Sequence, residues 1–396
     1  MDSPRPRPND LVQKNPSGLS SPAVQSHLLV RGLNWLGDAV MSLPALAALR
    51  EAFPGIRISV AAPEKLTELY AMGEGVDAVI PLGNKPGLLV TARRLREAGA
   101  DTALVLPNSP RSALEAWCAG IPRRVGIRRL WRNLLLTDAV APRDEERRMV
   151  KLSASEIERL LGGETTRSLP AVESHHVFHY LHLAGALGAG GDPRAPRLRI
   201  REEERLLCWQ RWMPKEGGLD KLKWLGVNPG AEYGPAKRWP AEKFGEAVAE
   251  FLGARRAGVF LFGGPGDVET AASVERVLRR QGHGGYGGPV LNLAGRTDLR
   301  SLILLMASCR VVLTNDSGPM HVAAAAGARV VALFGSTSPE LTGPGLPGDS
   351  RHVCLREPTP CSPCFLRTCP VDFRCLGRLE VGRVVKAMLH QWDEAG

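Results

Sequence analysis

Short apolar runs that alternate with helical segments constrain the fold of this 396-residue chain more than any other feature. Runs of this kind are typical of strands buried on both faces, and helical crossovers between such strands produce parallel sheets. The pattern occurs in both halves of the chain and therefore predicts two α/β domains, each with a doubly wound parallel sheet. The predicted strands are residues 28–31, 56–61, 78–82, 103–106, 224–227, 259–262, 290–293, 311–314 and 330–334.

Chain length supports the same organisation, because 396 residues exceed what one hydrophobic core usually organises. Glycine and proline signals around 185–205 indicate a linker, which we place at 185–222, between a first domain at 27–184 and a second at 223–396. Residues 1–26 are rich in proline and serine and lack the apolar core of a secretory signal. We expect them to form a disordered leader or to reflect an overextended start.

Composition excludes a membrane-spanning protein, since no uninterrupted apolar stretch approaches the roughly 20 residues that a membrane helix needs. The formal net charge of +10 favours phosphates, anionic lipid surfaces or nucleic acid as partners. Arginines are locally dense between 123 and 132, which indicates either a solvated basic face or a surface that meets acidic groups. The arginines of this run are Arg123, Arg124, Arg128, Arg129 and Arg132.

The stretch Asn-Pro-Gly-Ala-Glu-Tyr-Gly-Pro-Ala-Lys-Arg-Trp-Pro at 228–240 follows a predicted strand and precedes a helical pattern. Lys237 and Arg238 thus lie where backbone N–H groups and the positive end of a helix dipole already favour an anion. The stretch predicts a phosphate site, and an ordinary basic loop is the alternative.

A second strand, turn and helix start occurs at 311–326, around Asn-Asp-Ser-Gly-Pro-Met-His. Gly318 permits close backbone approach, and Ser317 and His321 add donors, so this loop could cradle a diphosphate. Asp316 would be repelled by phosphate and is expected to bind sugar hydroxyls. A simple helix N-cap at Asp316 or Ser317 is the alternative.

The loop Gly-Leu-Asn-Trp-Leu-Gly-Asp at 32–38 has the glycine spacing of a P-loop but carries Asp38 where the phosphate-binding lysine must stand. It also lacks the Gly-x-Gly-x-x-Gly of dinucleotide folds, which argues against an NTPase and against nicotinamide chemistry. What remains is a carboxylate at a strand end, either a functional group or only the cap of its helix.

Together these motifs resemble the ADP-heptose:lipopolysaccharide heptosyltransferases of glycosyltransferase family 9, and the stretch at 228–240 is most similar to the type II members. Three further stretches agree in the same order, at 35–44, 106–114 and 293–299. The resemblance spans about residues 28 to 345.

The resemblance implies the GT-B architecture, with two Rossmann-like domains facing a central cleft, the acceptor held by the first and ADP-heptose by the second. It implies an inverting transfer to the first heptose of the inner core on Kdo-lipid A, with Asp38 as general base and Lys237 stabilising the departing ADP. Because no Asp-x-Asp occurs in the chain, we expect no metal requirement. The expected location is the cytoplasm, peripheral at the inner membrane, with no nucleic-acid partner.

Further ligand contacts are expected at two other strand ends. Asn108, Ser109 and Arg111 suit acceptor hydroxyls and phosphate, although Ser109 is equally suited to cap a helix. Asp267 or Glu269, beside a glycine-rich loop, is the candidate for ribose or adenine.

Five of the eight cysteines lie in the segment 354–375. Cys361, Cys364, Cys369 and Cys375 could clip zinc or iron, as in heptosyltransferases that modify autotransporters, which this segment resembles. Their spacing is tighter than that of a zinc ribbon, and reduced thiols packed in a loop are the alternative.

Two other classes of protein compete with the transferase hypothesis. A nucleotide-sugar epimerase or dehydrogenase would need a dinucleotide fingerprint, which the chain lacks. A noncatalytic lipopolysaccharide-binding module would not need Asp38 together with Lys237. Within the family, a type I or type III heptosyltransferase, or another ADP-heptose-dependent transferase, is the nearest alternative.

Overall fold

A computed structural model describes residues 24–163, 167–213, 222–282 and 288–395. The expected leader at 1–26 falls almost wholly outside these residues, as does part of the expected linker. None of the helices in the described ranges is long and apolar enough to cross a bilayer.

The described strands form two parallel sheets of six strands each. All neighbouring strands within a sheet run parallel. The strands are β1 (His27–Arg31), β2 (Arg57–Ala62), β3 (Ala78–Pro81), β4 (Thr102–Val105), β5 (Arg123–Ile127), β6 (Asp138–Val140), β7 (Trp224–Asn228), β8 (Gly258–Leu261), β9 (Val290–Asn292), β10 (Val311–Asn315), β11 (Arg329–Phe334) and β12 (His352–Arg356).

Both sheets share one strand order, β3-β2-β1-β4-β5-β6 in the first and β12-β11-β10-β7-β8-β9 in the second. Numbered from its own first strand, the second sheet repeats the first, so the prediction of two doubly wound domains of the GT-B type is confirmed. The order reverses between β1 and β4 and between β7 and β10. Such switch points form the ligand crevices of open α/β sheets, at the carboxyl ends of the strands.

Helices connect the strands. They are α1 (Leu36–Met41), α2 (Leu43–Ala52), α3 (Thr67–Ala71), α4 (Leu88–Glu97), α5 (Pro110–Cys118), α6 (Ala154–Leu161), α7 (His176–Gly185), α8 (Glu202–Trp212), α9 (Ala241–Ala254), α10 (Val268–Arg280), α11 (Leu299–Met306), α12 (Gly318–Ala325), α13 (Pro339–Thr342), α14 (Arg374–Gly377) and α15 (Val381–Asp393). Short 3-10 helices lie at Glu64–Leu66, Leu130–Leu135, Val172–Ser174, Pro235–Lys237 and Pro265–Asp267.

The chain divides into two compact units, each of which is built from two separate stretches of the sequence. The first ends at Glu146 and takes up Glu173–Arg199 again, whereas the second holds Arg147–Val172 and continues from Ile200. Our sequence boundaries kept 147–172 in the first half. The segment belongs with the second because its backbone bonds there, for example from the Leu152 N–H to the Cys364 carbonyl at 3.1 Å.

Each sheet is packed between apolar layers. Leu29, Val105, Val227 and Leu313, on the central strands, are all at most 1% exposed. Burying one such side chain stabilises the fold by about 1.5–3 kcal/mol. The central strands, which carry the switch points, are therefore firmly held.

The arginine run at 123–132 is not a solvated basic face, because it contains β5 and most of its side chains are engaged. Arg132 is 1% exposed, and burial lowers its pKa to about 10. Of the five arginines only Arg128 is exposed. The others bond inward, Arg123 to Asp138, Arg129 to Glu146, and Arg124 and Arg132 to backbone carbonyls.

Candidate functional site

Asp38 lies just past the carboxyl end of β1, beside the switch point of the first sheet. The loop that leads to it is fixed by two bonds, from the Gly32 N–H to the Ala61 carbonyl (2.8 Å) and from the Leu33 N–H to the Tyr70 hydroxyl (3.0 Å). Asp38 then falls in the first turn of α1, whose N-cap is Trp35, without a side-chain cap. The alternative that Asp38 only caps its helix is therefore wrong.

The carboxylate of Asp38 is held from α7 of the same unit. The Tyr180 hydroxyl donates to its Oδ1 at 3.3 Å, and His176 Nδ1 lies 3.9 Å from the same oxygen. Burial, and after it the charge of Asp38, raise the pKa of Tyr180 well above its ordinary value of 10. The phenol therefore keeps its proton and donates it. The Asp38 side chain remains 30% exposed, so a substrate hydroxyl can reach it.

Sequence reasoning missed both partners of Asp38, because they lie about 140 residues further along the chain. The one available signal was local to α7. His176 and Tyr180 are four residues apart, which places them on one face of a helix.

The acceptor candidates after β4 lie in different environments. Ser109 is the N-cap of α5, and its Oγ accepts from the Ser112 N–H at 3.2 Å, so its capping alternative is observed. Asn108 is exposed at the carboxyl end of β4, on the other side of the same switch point as Asp38. Its amide can meet a ligand there.

Arg111 belongs to a partly buried charge network that the sequence did not reveal. Its Nε donates to Glu115 at 3.1 Å, and its guanidinium also bonds the Pro86 carbonyl. The other oxygen of Glu115 accepts from Arg31 Nε at 2.9 Å, and both of those side chains are buried. Glu115 thereby holds Arg31 at the end of β1, while the Arg111 side chain stays 58% exposed.

Lys237 and Asp316 form the centre of the second unit's candidate site. Lys237 ends the 3-10 helix that follows β7, and Asp316 directly follows β10. Their charged atoms, Nζ and Oδ2, are 2.6 Å apart, and the side chains are only 14% and 3% exposed. The Thr337 hydroxyl donates to the same carboxylate oxygen. Asp316 thus aims the ammonium group of Lys237, and its expected contact with sugar hydroxyls stays a prediction.

Tyr233 supports the ammonium of Lys237 from the other side. The Nζ of Lys237 lies 4.9 Å from the ring centroid of Tyr233, and the guanidinium of Arg367 lies 5.4 Å from the same centroid. The Tyr233 hydroxyl donates to the Phe365 carbonyl at 2.7 Å, and Arg367 Nε donates to the Tyr233 carbonyl at 2.7 Å. The cysteine-rich segment therefore supports the loop between β7 and α9 that carries Lys237, which we call the lysine loop. No sequence pattern indicated this contact.

Two buried asparagines join the loops after β7 and β10. Asn315 accepts from the Trp239 N–H at 3.0 Å and donates to the Pro229 carbonyl at 2.7 Å. The Asn228 amide lies 3.4 Å from the Ser317 hydroxyl, to which it donates. These bonds fix the lysine loop relative to the start of α12.

Three of the predicted donor residues lie at the start of α12, and their contact with a diphosphate stays a prediction. Gly318 is the first helical residue and Ser317 its N-cap, with no side-chain cap bond. The first backbone N–H groups of a helix are suited to bind an anion. His321, in the first turn, is 4% exposed.

Of the two nucleoside candidates, Asp267 bonds Arg238 at the loop that carries Lys237, whereas Glu269 bonds Arg276 within α10. Arg238 Nη2 is 3.4 Å from Asp267 Oδ1 and also donates to the Ala231 carbonyl at 3.1 Å. Asp267 Oδ2 accepts from the Gly264 N–H at 3.1 Å. Glu269 pairs with Arg276 on the exposed surface of α10, with both side chains more than 60% exposed.

The C-terminal cysteines border a small pocket in the second unit, which Cys361, Cys364, Cys369 and Cys375 line together with Ile157 and other residues. All four thiols are free. Burial, and after it the neighbouring cysteines, raise the pKa of Cys375 to about 12. Within the described ranges, no three His, Cys, Asp or Glu side chains are arranged to hold a metal ion. Metal binding at these cysteines stays a prediction.

Each unit thus carries different chemistry at its switch point. The first offers a hydrogen-bonded carboxylate that can accept a proton, and the second a fixed ammonium group beside a helix start, which can hold a diphosphate.

Comparisons with known proteins point to one family. Residues 89–373 match the sequence model of glycosyltransferase family 9 (heptosyltransferase). The chain is 34% identical over 332 residues to lipopolysaccharide heptosyltransferase 2 of Salmonella typhimurium, covering 80% of this chain and 85% of the relative. It is 32% identical over 323 residues to lipooligosaccharide heptosyltransferase 2 of Haemophilus influenzae, with coverage of 80% and 86%.

A solved structure is similar over nearly the whole chain. The ADP-heptose LPS heptosyltransferase II of E. coli superposes with a TM-score of 0.70 at 28% sequence identity. The similarity covers 93% of this chain and 99% of the E. coli chain.

Proposed function

Since this chain belongs to glycosyltransferase family 9, the heptosyltransferase family, we propose that it transfers a heptose from ADP-heptose to the inner core of lipopolysaccharide. The proposed acceptor is the first heptose on Kdo-lipid A, as for a type II enzyme. The observation that carries the proposal is the pair of switch points, with Asp38 at one and the Lys237–Asp316 pair at the other. The chain that carries them is 34% identical to a type 2 heptosyltransferase.

Asp38 is the proposed general base. An acceptor hydroxyl attacks the anomeric carbon, the bond from that carbon to the diphosphate oxygen breaks, ADP leaves with the electron pair, and Asp38 takes the hydroxyl proton. The contact from Tyr180 to one carboxylate oxygen, Oδ1, leaves the other for the substrate. General-base assistance of this kind contributes about 10²–10⁴ in rate.

Lys237 is the proposed electrostatic partner of the leaving ADP, together with Arg238 and the donors at Ser317, Gly318 and His321. Its ammonium is fixed by Asp316 and Tyr233 and so needs little reorganisation when charge develops on the diphosphate. Removing one such preorganised donor typically costs about 10²–10³ in kcat. Asp267 is the proposed contact to the nucleoside.

Attack on the face opposite ADP inverts the anomeric centre. We propose that this needs no divalent metal, because the chain has no Asp-x-Asp pair and cationic side chains are available for the diphosphate. Activity that survives exhaustive chelation supports this; activity lost with chelator and restored by magnesium or manganese contradicts it.

The proposed acceptor is lipid-linked, so we also propose that the protein works in the cytoplasm, attached peripherally to the inner membrane. Asn108 and Arg111, near the first switch point, are the proposed acceptor contacts, with Ser109 holding the start of α5 between them.

A transfer assay with purified acceptors tests the function. The protein is incubated with ADP-heptose and either Kdo-lipid A or heptosyl-Kdo-lipid A, and products are identified by mass spectrometry. We expect one heptose to be added to the heptosylated acceptor only. Addition to the unheptosylated acceptor would identify a type I enzyme instead, and no transfer to either would contradict the proposal.

A further inference from the structure

The 3-10 helix at Leu130–Leu135 turns its large apolar side chains outward. Leu130, Trp131 and Leu134 are 87%, 81% and 78% exposed, the three highest values for large apolar side chains within the described ranges. We call these three residues the apolar cluster. An exposed group of this kind marks an interaction site more often than isolated apolar residues do.

The segment that carries the apolar cluster is firmly held, so its exposure is built into the fold. Arg132, in the middle of the helix, points inward and donates to the carbonyls of Ile127 (2.8 Å) and Val105 (3.1 Å). The Arg129 N–H donates to Asn133 Oδ1 at 2.9 Å. The polarity is thus inverted, because a guanidinium is buried while an indole and two leucines face out.

The apolar cluster begins at the carboxyl edge of the first sheet, the edge that carries Asp38. The helix starts three residues after β5, so Leu130 and Trp131 lie beyond the carboxyl end of that strand, as Asp38 does beyond β1. The helix then runs back along β5, and its last residue, Leu135, accepts a bond from Arg124 Nε. Leu89 and Val90, in the first turn of α4 after β3, add two exposed apolar side chains at this edge. A surface that docks here brings its ligand to the proposed base.

We propose that the apolar cluster inserts into the interface of an anionic phospholipid membrane, with Arg128 at the level of the lipid phosphates. Tryptophan and leucine beside an exposed arginine suit that interface, and the net charge of +10 complements an anionic surface. One six-residue helix is too small for a stable protein interface, which needs about 800 Å² per partner, whereas shallow insertion suits reversible attachment. The assignment rests on the proposed function only in that a lipid-linked acceptor requires membrane contact.

The test replaces the apolar cluster by serine in one variant, Leu130→Ser/Trp131→Ser/Leu134→Ser. Because these side chains are exposed, the fold is expected to survive, which circular dichroism and thermal melting verify. Trp117→Ser is the control, since Trp117 is 52% exposed but lies in the last turn of α5, away from the carboxyl ends of the strands where Leu130 and Trp131 lie.

Binding is measured by flotation with vesicles of phosphatidylethanolamine and phosphatidylglycerol in a three-to-one ratio. We expect the triple variant to partition about a hundredfold more weakly and the control to stay within about twofold. Unchanged partitioning of the triple variant, or an equal loss in the control, overturns the proposal. So does a wild-type dimer in solution that the triple variant turns into a monomer, because the surface would then serve a second copy.

Activity separates this proposal from the proposed function. The triple variant should lose about a hundredfold in kcat/KM on acceptor embedded in vesicles and stay within about twofold on acceptor freed of its acyl chains. An equal loss on both acceptors overturns the membrane role. Wild-type protein that binds vesicles through the apolar cluster but transfers no heptose contradicts the proposed function alone.

Discussion

Replacing Asp316 by asparagine removes the anionic partner of a nearly buried ammonium group. Lys237 Nζ lies 2.6 Å from Asp316 Oδ2, with side chains 14% and 3% exposed. At an effective dielectric constant of about 20, the attraction at that distance is about 6 kcal/mol, from which desolvation must be subtracted. Breaking such a pair from one side typically costs about 3 kcal/mol, because the remaining charge stays buried.

We therefore expect Asp316→Asn and Lys237→Met each to lower the free energy of unfolding of the second unit by about 3 kcal/mol, or the melting temperature by about 10 °C. The double variant should lose less than the sum, with a coupling energy of about 2 kcal/mol or more. Urea denaturation and thermal melting of all four proteins give the cycle.

The control is Asp393→Asn, which breaks a pair of similar length. Arg255 lies 2.7 Å from Asp393, but the side chains are 40% and 53% exposed. Solvent screens this pair, so its loss should move the melting temperature by no more than about 1 °C. Additive effects of Lys237→Met and Asp316→Asn, or an Asp316→Asn melt that matches the control, would refute the reasoning.

Two further predictions concern the lysine loop and the response to acid. Gly234 has φ of +149°, and a Cβ there would lie 2.5 Å from the Arg367 carbonyl oxygen. Gly234→Ala should therefore shift the Lys237 loop and reduce kcat/KM for ADP-heptose at least about tenfold, measured by steady-state kinetics; unchanged kinetics would contradict it. The hydrogen bond from His179, aided by the charges of His179 and Arg129, lowers the pKa of Glu146 from 4.5 to about 2. A depressed carboxyl pKa contributes stability that is present above pH 4.5 and is lost as the pH falls towards 2. Glu146→Gln should therefore flatten the fall in melting temperature between pH 4.5 and 2. A melting temperature that falls over this range as steeply as in the wild type would count against the assignment.

Most of the fold followed from the sequence because buried parallel strands are continuous apolar runs. The strands that the pattern missed lie towards the edges of the sheets, where the run is broken. Arg123–Ile127 begins with two arginines and was interpreted as part of a basic face, and Asp138–Val140 is only three residues long. His352–Arg356 starts and ends with polar residues and occupies the outer position of its sheet.

Some residues of the candidate site could likewise be predicted from the sequence, and others could not. Asp38 and Lys237 could be predicted because each stands in a local strand, loop and helix pattern. Their partners could not, since the Tyr180 hydroxyl and the Arg367 guanidinium come from segments about 140 and 130 residues away. Local sequence spacing carries no information about such contacts, which arise when separate elements pack together.

The most direct test of the account is the turnover of Asp38→Asn, a substitution that keeps size and shape but cannot accept the acceptor proton as a carboxylate does. We predict that kcat falls about 10²–10⁴-fold while the KM for ADP-heptose and the melting temperature change little. A kcat within about threefold of the wild-type value, in an assay shown to report the chemical step, would contradict the assignment of Asp38 as the base.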